Sequence, residues 1–227
     1  MAETRQSPWK PASARDTKYN EKHSAILAAA ATILADKGYD AVSLNDVADN
    51  LGITKPTLYY YFKSKDELVL QVKQAAQDLV VDAITEAEAL PGSGSSKLER
   101  LIRRYLSILN TDFVHCLITV DPRNMKPESR SKYNDRVVHL ETRVRNIIEE
   151  GILDGSIRKQ DPSIAVRAIF GLLNGLALTY RSDFSDWEHV GDEVMALIFE
   201  GTRPRVLVAG TVPAKGPARP RRTSPTE

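Results

Sequence analysis

The segment from Gly38 to Glu67, GYDAVSLNDVADNLGITKPTLYYYFKSKDE, is punctuated so densely that few folds can accept it. Gly38 stands where a preceding helix should end, in a left-handed cap. Ser43 followed by Asp46 is a capping-box pattern for a short helix over 44–51, and Gly52 ends that helix. Thr54 can cap the next helix, with Pro56 in its first turn, where no backbone donor is yet required. Ser64 with Glu67 makes another box and opens a long helix reaching about Leu90. The order is therefore a longer helix, two short helices across a tight glycine turn, and a long helix. Two short helices at that spacing are the helix-turn-helix signature, in which the second lies in the major groove of DNA.

The second short helix has an unusual composition. Tyr59, Tyr60, Tyr61 and Phe62 follow one another, and Lys55, Lys63 and Lys65 fall in the same stretch without an acid. Consecutive helical positions point about 100° apart, so these rings cannot all face a core. With Ile53, Leu58 and Phe62 inward, Lys55, Pro56, Thr57, Tyr59, Tyr60 and Tyr61 occupy the other faces. An ammonium, a hydroxyl, an apolar ring and phenols can donate to phosphates, touch a thymine methyl or bond base edges. The expected head core is Ile26, Ile33, Val42, Leu44, Val47, Ala48, Leu51, Ile53, Leu58 and Phe62.

Composition limits the alternatives. A net charge of +1 argues for no partner, and residues 1–67 balance nine basic against nine acidic side chains, so any DNA contact must come from local arrangement. Cys116, the single cysteine, cannot form an intramolecular disulfide, which suits a reducing cytoplasm. The N-terminus lacks the apolar core of a secretory signal, and the run from Ala168 to Tyr180 is too short to span a bilayer; a soluble, cytoplasmic protein is expected. His23, His115, His139 and His189 are scattered, which argues against a metal site, and neither a catalytic cluster nor a phosphate-cradling glycine loop is evident. No cofactor and no catalysis are expected.

Helical periodicity continues to about residue 202, and no alternating run competes with it, so the fold class is all-α. Residues 1–18 and 203–227 read as disordered basic tails, and PGSGSS over 91–96 as a flexible break. Helices are expected over 98–120 and 130–154. EEGILDGSIR ends the latter, and Asp161 with Pro162 starts the next helix as cap and first residue. That helix is apolar around most of its circumference, with Gly171 and Gly175 spaced to let another helix approach.

Residues 19–68 resemble the DNA-binding domain of the TetR family of transcriptional regulators. The match lies in the helix ending in K-G-Y, the S-x-x-D-V-A box, the L-G-I turn and the run TLYYYFKSKDEL. The resemblance implies a three-helix DNA-binding head over 19–66, joined by a long helix to a ligand-binding and dimerisation domain over 67–202. It implies DNA contacts for Ser43, Thr54, Lys55, Thr57, Tyr59, Tyr60 and Lys65, to which the outward face of the helix adds Pro56 and Tyr61. For a small lipophilic effector, of which an acyl-CoA-like metabolite is one form, Tyr105, Phe113, His115, Cys116 and His139 are the candidates. Phe170, Gly171, Gly175, Leu178, Val194 and Ile198 are those for a homodimer with a palindromic double-stranded operator, most often as a repressor. The competing readings are a helical adaptor binding a protein or acyl carrier without DNA, and an all-α enzyme.

Overall fold

The computed structural model describes residues 14–179 and 187–201, and every regular element among them is helical. Helices α1 (Ala14–Ala41), α2 (Leu44–Asn50) and α3 (Lys55–Tyr61) form a head, and α4 (Lys65–Glu88) leads out of it. The body adds α5 (Gly94–Leu109), α6 (Asp112–Thr119), a short 3-10 turn (Pro122–Asn124), α7 (Pro127–Leu153), α8 (Pro162–Thr179) and α9 (Trp187–Glu200). The all-α expectation stands. The N-terminal boundary does not, because α1 already begins at Ala14, inside the segment expected to be disordered. No Gly or Pro intervenes between Pro11 and Gly38, so nothing local stops the helix from extending backwards. The expected tails over 1–13 and 203–227 lie outside the described residues.

Local chemistry accounts for the head. Ser43 accepts the Asp46 amide at 3.3 Å, and Asp46 accepts the Ser43 amide at 2.7 Å, a complete capping box. Gly52 turns the chain at φ 62°, a conformation that favours glycine. Gly38 also has positive φ, but at φ 77°, ψ 173° it is extended and not the left-handed helical cap expected; it kinks α1 and lets Tyr39–Ala41 add one more turn. At the start of α4 the box is shifted. Ser64 accepts the Glu67 amide at 3.1 Å, but Glu67 reaches past Ser64 to the Lys63 amide at 2.8 Å.

Eight of the ten expected core residues of the head are buried, and Leu51 and Ile53 pack against them half-buried. The same cluster takes in Leu68, Val69 and Val72 of α4 and, from the body, Cys116 and Val120. Helix α6 is therefore a wedge. Cys116 faces the head, Val114 faces the body core, and Asp112 accepts a hydrogen bond from Thr32 of α1 at 2.7 Å.

Two expectations about the body need correction. The helix expected over 98–120 is two helices, broken at Asn110 and Thr111, where the Thr111 side chain accepts the Val114 amide at 3.3 Å and restarts the chain as α6. The PGSGSS break is anchored: Ser93 caps α5, the Gly94 amide donates to Asp154 at 2.8 Å, and the Ser95 amide donates to Ser156 at 3.0 Å. Gly94 lies so close to α7 that a Cβ there would stand 2.2 Å from the Gly151 nitrogen. Asp161 caps α8 as expected, accepting the amides of Ser163 at 2.8 Å and Ile164 at 3.1 Å. By length and composition alone α8 could cross a membrane, because the helix extends back past Ala168 to Pro162. Its Val166, Leu173 and Ala177 are nevertheless buried in the body core, as expected of a bundle helix.

Candidate nucleic-acid interface and ligand cavity

Helix α3 is pinned by its inward residues and open on its outward ones. Leu58 and Phe62 are fully buried, while Thr54, Lys55, Pro56, Thr57, Tyr59 and Tyr60 are exposed, Tyr60 to 69%. Thr54 caps the helix, with its hydroxyl 2.8 Å from that of Thr57, so both polar groups stand at the same end. The Lys55 ammonium lies 6.0 Å from the Tyr59 ring centroid, on the edge of a cation–π contact.

Not every residue expected on this surface is equally open. Tyr61 is half-buried: its ring stacks on Tyr19 of α1 at 4.9 Å and meets Tyr60 edge-on at 5.2 Å. Behind them His23 stacks on Phe62 at 4.9 Å, and its Nε2 is 2.8 Å from the Gln71 amide oxygen. This aromatic stack braces α3 from the α1 side, and it was missed in the sequence although Tyr19 and His23 stand one helical turn apart. Lys65 is half-buried with its ammonium 4.1 Å from the Tyr39 ring centroid. Ser43 is exposed beside the head surface, its hydroxyl donated to Asp46 at 2.6 Å.

The body holds a cavity of about 320 Å³ enclosed by α4, α5, α6, α7 and α8. Apolar side chains such as Val80, Ile84, Leu117 and Val144 make up most of its wall, and Glu141 and Arg167 stand exposed at its rim. Tyr105 is the one candidate effector residue on that wall. It is buried, its ring meets Phe170 edge-on at 4.9 Å, and its hydroxyl donates to Asn174 at 2.7 Å. Burial raises its pKa, so the phenol stays neutral. Phe113, His115, Cys116 and His139 do not line the cavity. Phe113 and Cys116 belong to the α6 face that meets the head, His115 is half-buried on the same short helix, and His139 is exposed on α7. The break at Asn110 is the cause, since it rotates α6 and presents Leu117 and Ile118 to the cavity instead. Phe170, expected at a dimer face, also lines the cavity.

Of the other candidate dimer residues, Gly171 and Leu178 are exposed, and Gly175 and Ile198 are half-buried. Val194 is buried in the chain's own core. With Ile164 and Ala168, residues 171, 175 and 178 form one stripe along the outer face of α8.

Three polar residues without a place in the sequence reading are buried together on α4. Asp66, Lys73 and Gln77 sit at helical spacing on one face, and each bonds to the segment from α6 to α7. Asp66 accepts the Lys126 amide at 2.7 Å and the Ser129 hydroxyl, so it caps α7, which has no side-chain cap of its own. Lys73 donates to the Leu117 carbonyl at 3.0 Å, and its ammonium lies 4.8 Å from the Tyr133 ring centroid. Burial lowers its pKa to about 8. Gln77 donates to the Tyr133 carbonyl at 3.3 Å. Among the described residues no group of three His, Cys, Asp or Glu side chains could hold a metal ion.

Comparison with known proteins agrees over most of the chain. Residues 26–72 match the family described as "Bacterial regulatory proteins, tetR family", and residues 91–202 match "Tetracyclin repressor-like, C-terminal domain". The fatty acid metabolism regulator protein of Bacillus subtilis (strain 168) is 24% identical over 184 residues, covering 79% of this chain and 95% of that protein. The TetR family transcriptional regulator PfmR from Thermus thermophilus superposes with a TM-score of 0.72 at 27% identity, over 79% of this chain and 99% of that one. AibR, solved in complex with isovaleryl coenzyme A and operator DNA, shares the fold with a TM-score of 0.71 at 18% identity, over 78% of this chain and 98% of that one.

Proposed function

The chain belongs to the TetR family of transcriptional regulators, and from that premise we propose that it is a homodimeric repressor whose operator is released by a lipophilic acyl metabolite. The observation that carries the DNA-binding role is the outward face of α3, where Lys55, Pro56, Thr57, Tyr59 and Tyr60 are exposed while Leu58 and Phe62 hold the helix to its core. Thr54, Lys55 and Thr57 stand at the base-reading end, and Ser43, Tyr59, Tyr60 and Lys65 serve phosphates. Tyr61 acts mainly as a brace. The action requires no catalysis and belongs in the cytoplasm.

The stripe of Ile164, Ala168, Gly171, Gly175 and Leu178 is the dimer face, with Ile198 beside it. Two protomers joined there present two recognition helices to the half-sites of a palindrome. The effector lies in the α4–α8 cavity against Tyr105 and Phe170. The acyl class draws its support from the apolar wall and from the fatty-acid and isovaleryl coenzyme A regulators that the chain resembles. The cavity is equivalent to on the order of ten water molecules of liquid volume, enough for an acyl tail but not for a coenzyme A group. Any thioester must therefore leave its nucleotide outside, beside Arg167.

Signal transfer follows from the polar stripe on α4. A ligand that moves α6 or α7 pulls on Asp66, Lys73 and Gln77, and Asp66 lies in the first turn after the head. An effector that binds the displaced arrangement more tightly shifts the population away from DNA by its differential affinity.

The test is selection of duplexes from a random library, then gel-shift titration at several salt concentrations and with acyl-CoA thioesters of graded length. Lys55→Ala should weaken specific binding by about 1–3 kcal/mol. Affinity that does not fall with salt would instead favour an adaptor that never touches phosphate.

A further inference from the structure

Helix α1 begins at Ala14, well ahead of residue 26, where the match to the family starts, so its first turns lie outside that match. Tyr19 holds these turns to the recognition helix. Its ring stacks on Tyr61 at 4.9 Å and meets Tyr60 edge-on at 6.0 Å. Tyr60 is the most open aromatic of the α3 surface, and Tyr19 remains exposed beside it. The outward surface of α3 therefore continues onto α1. The body does not cover this side, because α6 meets α1 at Thr32, about 140° round the helix from Tyr19.

Helical geometry fixes what α1 shows next to Tyr19. Lys22 stands three positions on, about 60° round the helix, and Lys18 one position back, about 100° round in the same direction. The two lysines are one turn apart on one face, and both are exposed. Among the described residues neither ammonium has an acidic partner. Glu21, three positions from Lys18, points about 160° away from Tyr19 and pairs with neither. Like charges at this spacing repel, and an anion held between them removes the repulsion. We propose that Lys18 and Lys22 grip phosphates of the operator backbone and so extend the DNA interface from α3 onto α1. This rests on the DNA-binding reading of α3 and enlarges its surface. The two lysines add affinity without sequence preference, since phosphates carry no base identity. Tyr19 fixes the turn that carries both.

The experiment titrates the full-length protein against the selected operator and a scrambled duplex of equal length, between about 50 and 200 mM salt. Lys18→Gln combined with Lys22→Gln removes both charges and keeps good helix formers at both positions. Two phosphate contacts account for about tenfold in affinity per protomer over that range, so the double variant should flatten the salt slope by about two per protomer. It should weaken both duplexes alike, and Lys18→Arg with Lys22→Arg should restore the native slope. Lys159→Gln, at an exposed lysine of the body, is the control for net charge alone. A native slope in the double Gln variant, a loss confined to the selected operator, or a comparable flattening by Lys159→Gln would overturn the α1 contact while leaving the α3 reading in place. A native protein whose binding to both duplexes ignores salt would remove both.

Discussion

Replacing Lys73 by Met should make the protein more stable near neutral pH, and the gain should shrink in alkali. Lys73 is fully buried, and its ammonium has one hydrogen bond, to the Leu117 carbonyl, plus the Tyr133 ring. Burial lowers its pKa from 10.5 to about 8, so holding the charge inside costs about 3 kcal/mol at neutral pH. Met retains the length and most of the packing but leaves the Leu117 carbonyl without its donor, a loss of about 1–2 kcal/mol. The net expectation is a stabilisation of about 1–2 kcal/mol at pH 7. The pH dependence has a definite sign. Between about pH 8 and 10.5 the unfolded lysine holds a proton that the folded one has released, so stability at this site rises as pH climbs through that window. From pH 7 to 9 the native protein should gain about 1 kcal/mol relative to Lys73→Met. Cys116, pushed up to about 11 by burial, works in the opposite direction above pH 9 and is present in both proteins. Urea unfolding at pH 7 and 9, at one protein concentration, measures both effects. A Lys73→Met protein less stable at pH 7, or an unchanged gap at pH 9, would refute the reasoning and make the ammonium contacts stronger than its desolvation.

Three other substitutions examine separate joints. Asp66→Ala removes the acceptor that caps α7 and should destabilise by about 2 kcal/mol in urea unfolding, while reducing effector-driven release in the gel shift. Gly94→Ala drives a methyl into the backbone of Gly151 and the Ile147 carbonyl, groups that cannot swing aside, and should cost about 3 kcal/mol by the same assay. Leu178→Glu, at a position 54% exposed, should preserve helical circular dichroism but shift sedimentation from dimer to monomer; an unchanged dimer would move the interface elsewhere.

The sequence by itself determined the head. Ser43 with Asp46, Gly52, Thr54 with Pro56, and Ser64 with Glu67 act within a few residues of themselves, through caps and turns that form wherever such residues meet. Once those ends are set, helical geometry alone puts Leu58 and Phe62 inside and Lys55, Thr57 and Tyr60 outside. The break before α6 was also legible, since Thr111 caps the Val114 amide just as Thr54 caps that of Thr57. The unbroken apolar periodicity obscured it. The cavity was decided by tertiary structure. Gln77, Tyr105, Tyr133 and Asn174 come from four different helices, and each looks ordinary in its own segment. The orientation of α6 turned Phe113 and Cys116 towards the head and Leu117 towards the cavity, a rotation that no pattern within the helix specifies. Lys73 shows the difference most sharply. A lysine on an amphipathic helix reads as solvated surface, and only the arrival of α6 and α7 around it converts that charge into a buried tie between the head and the body.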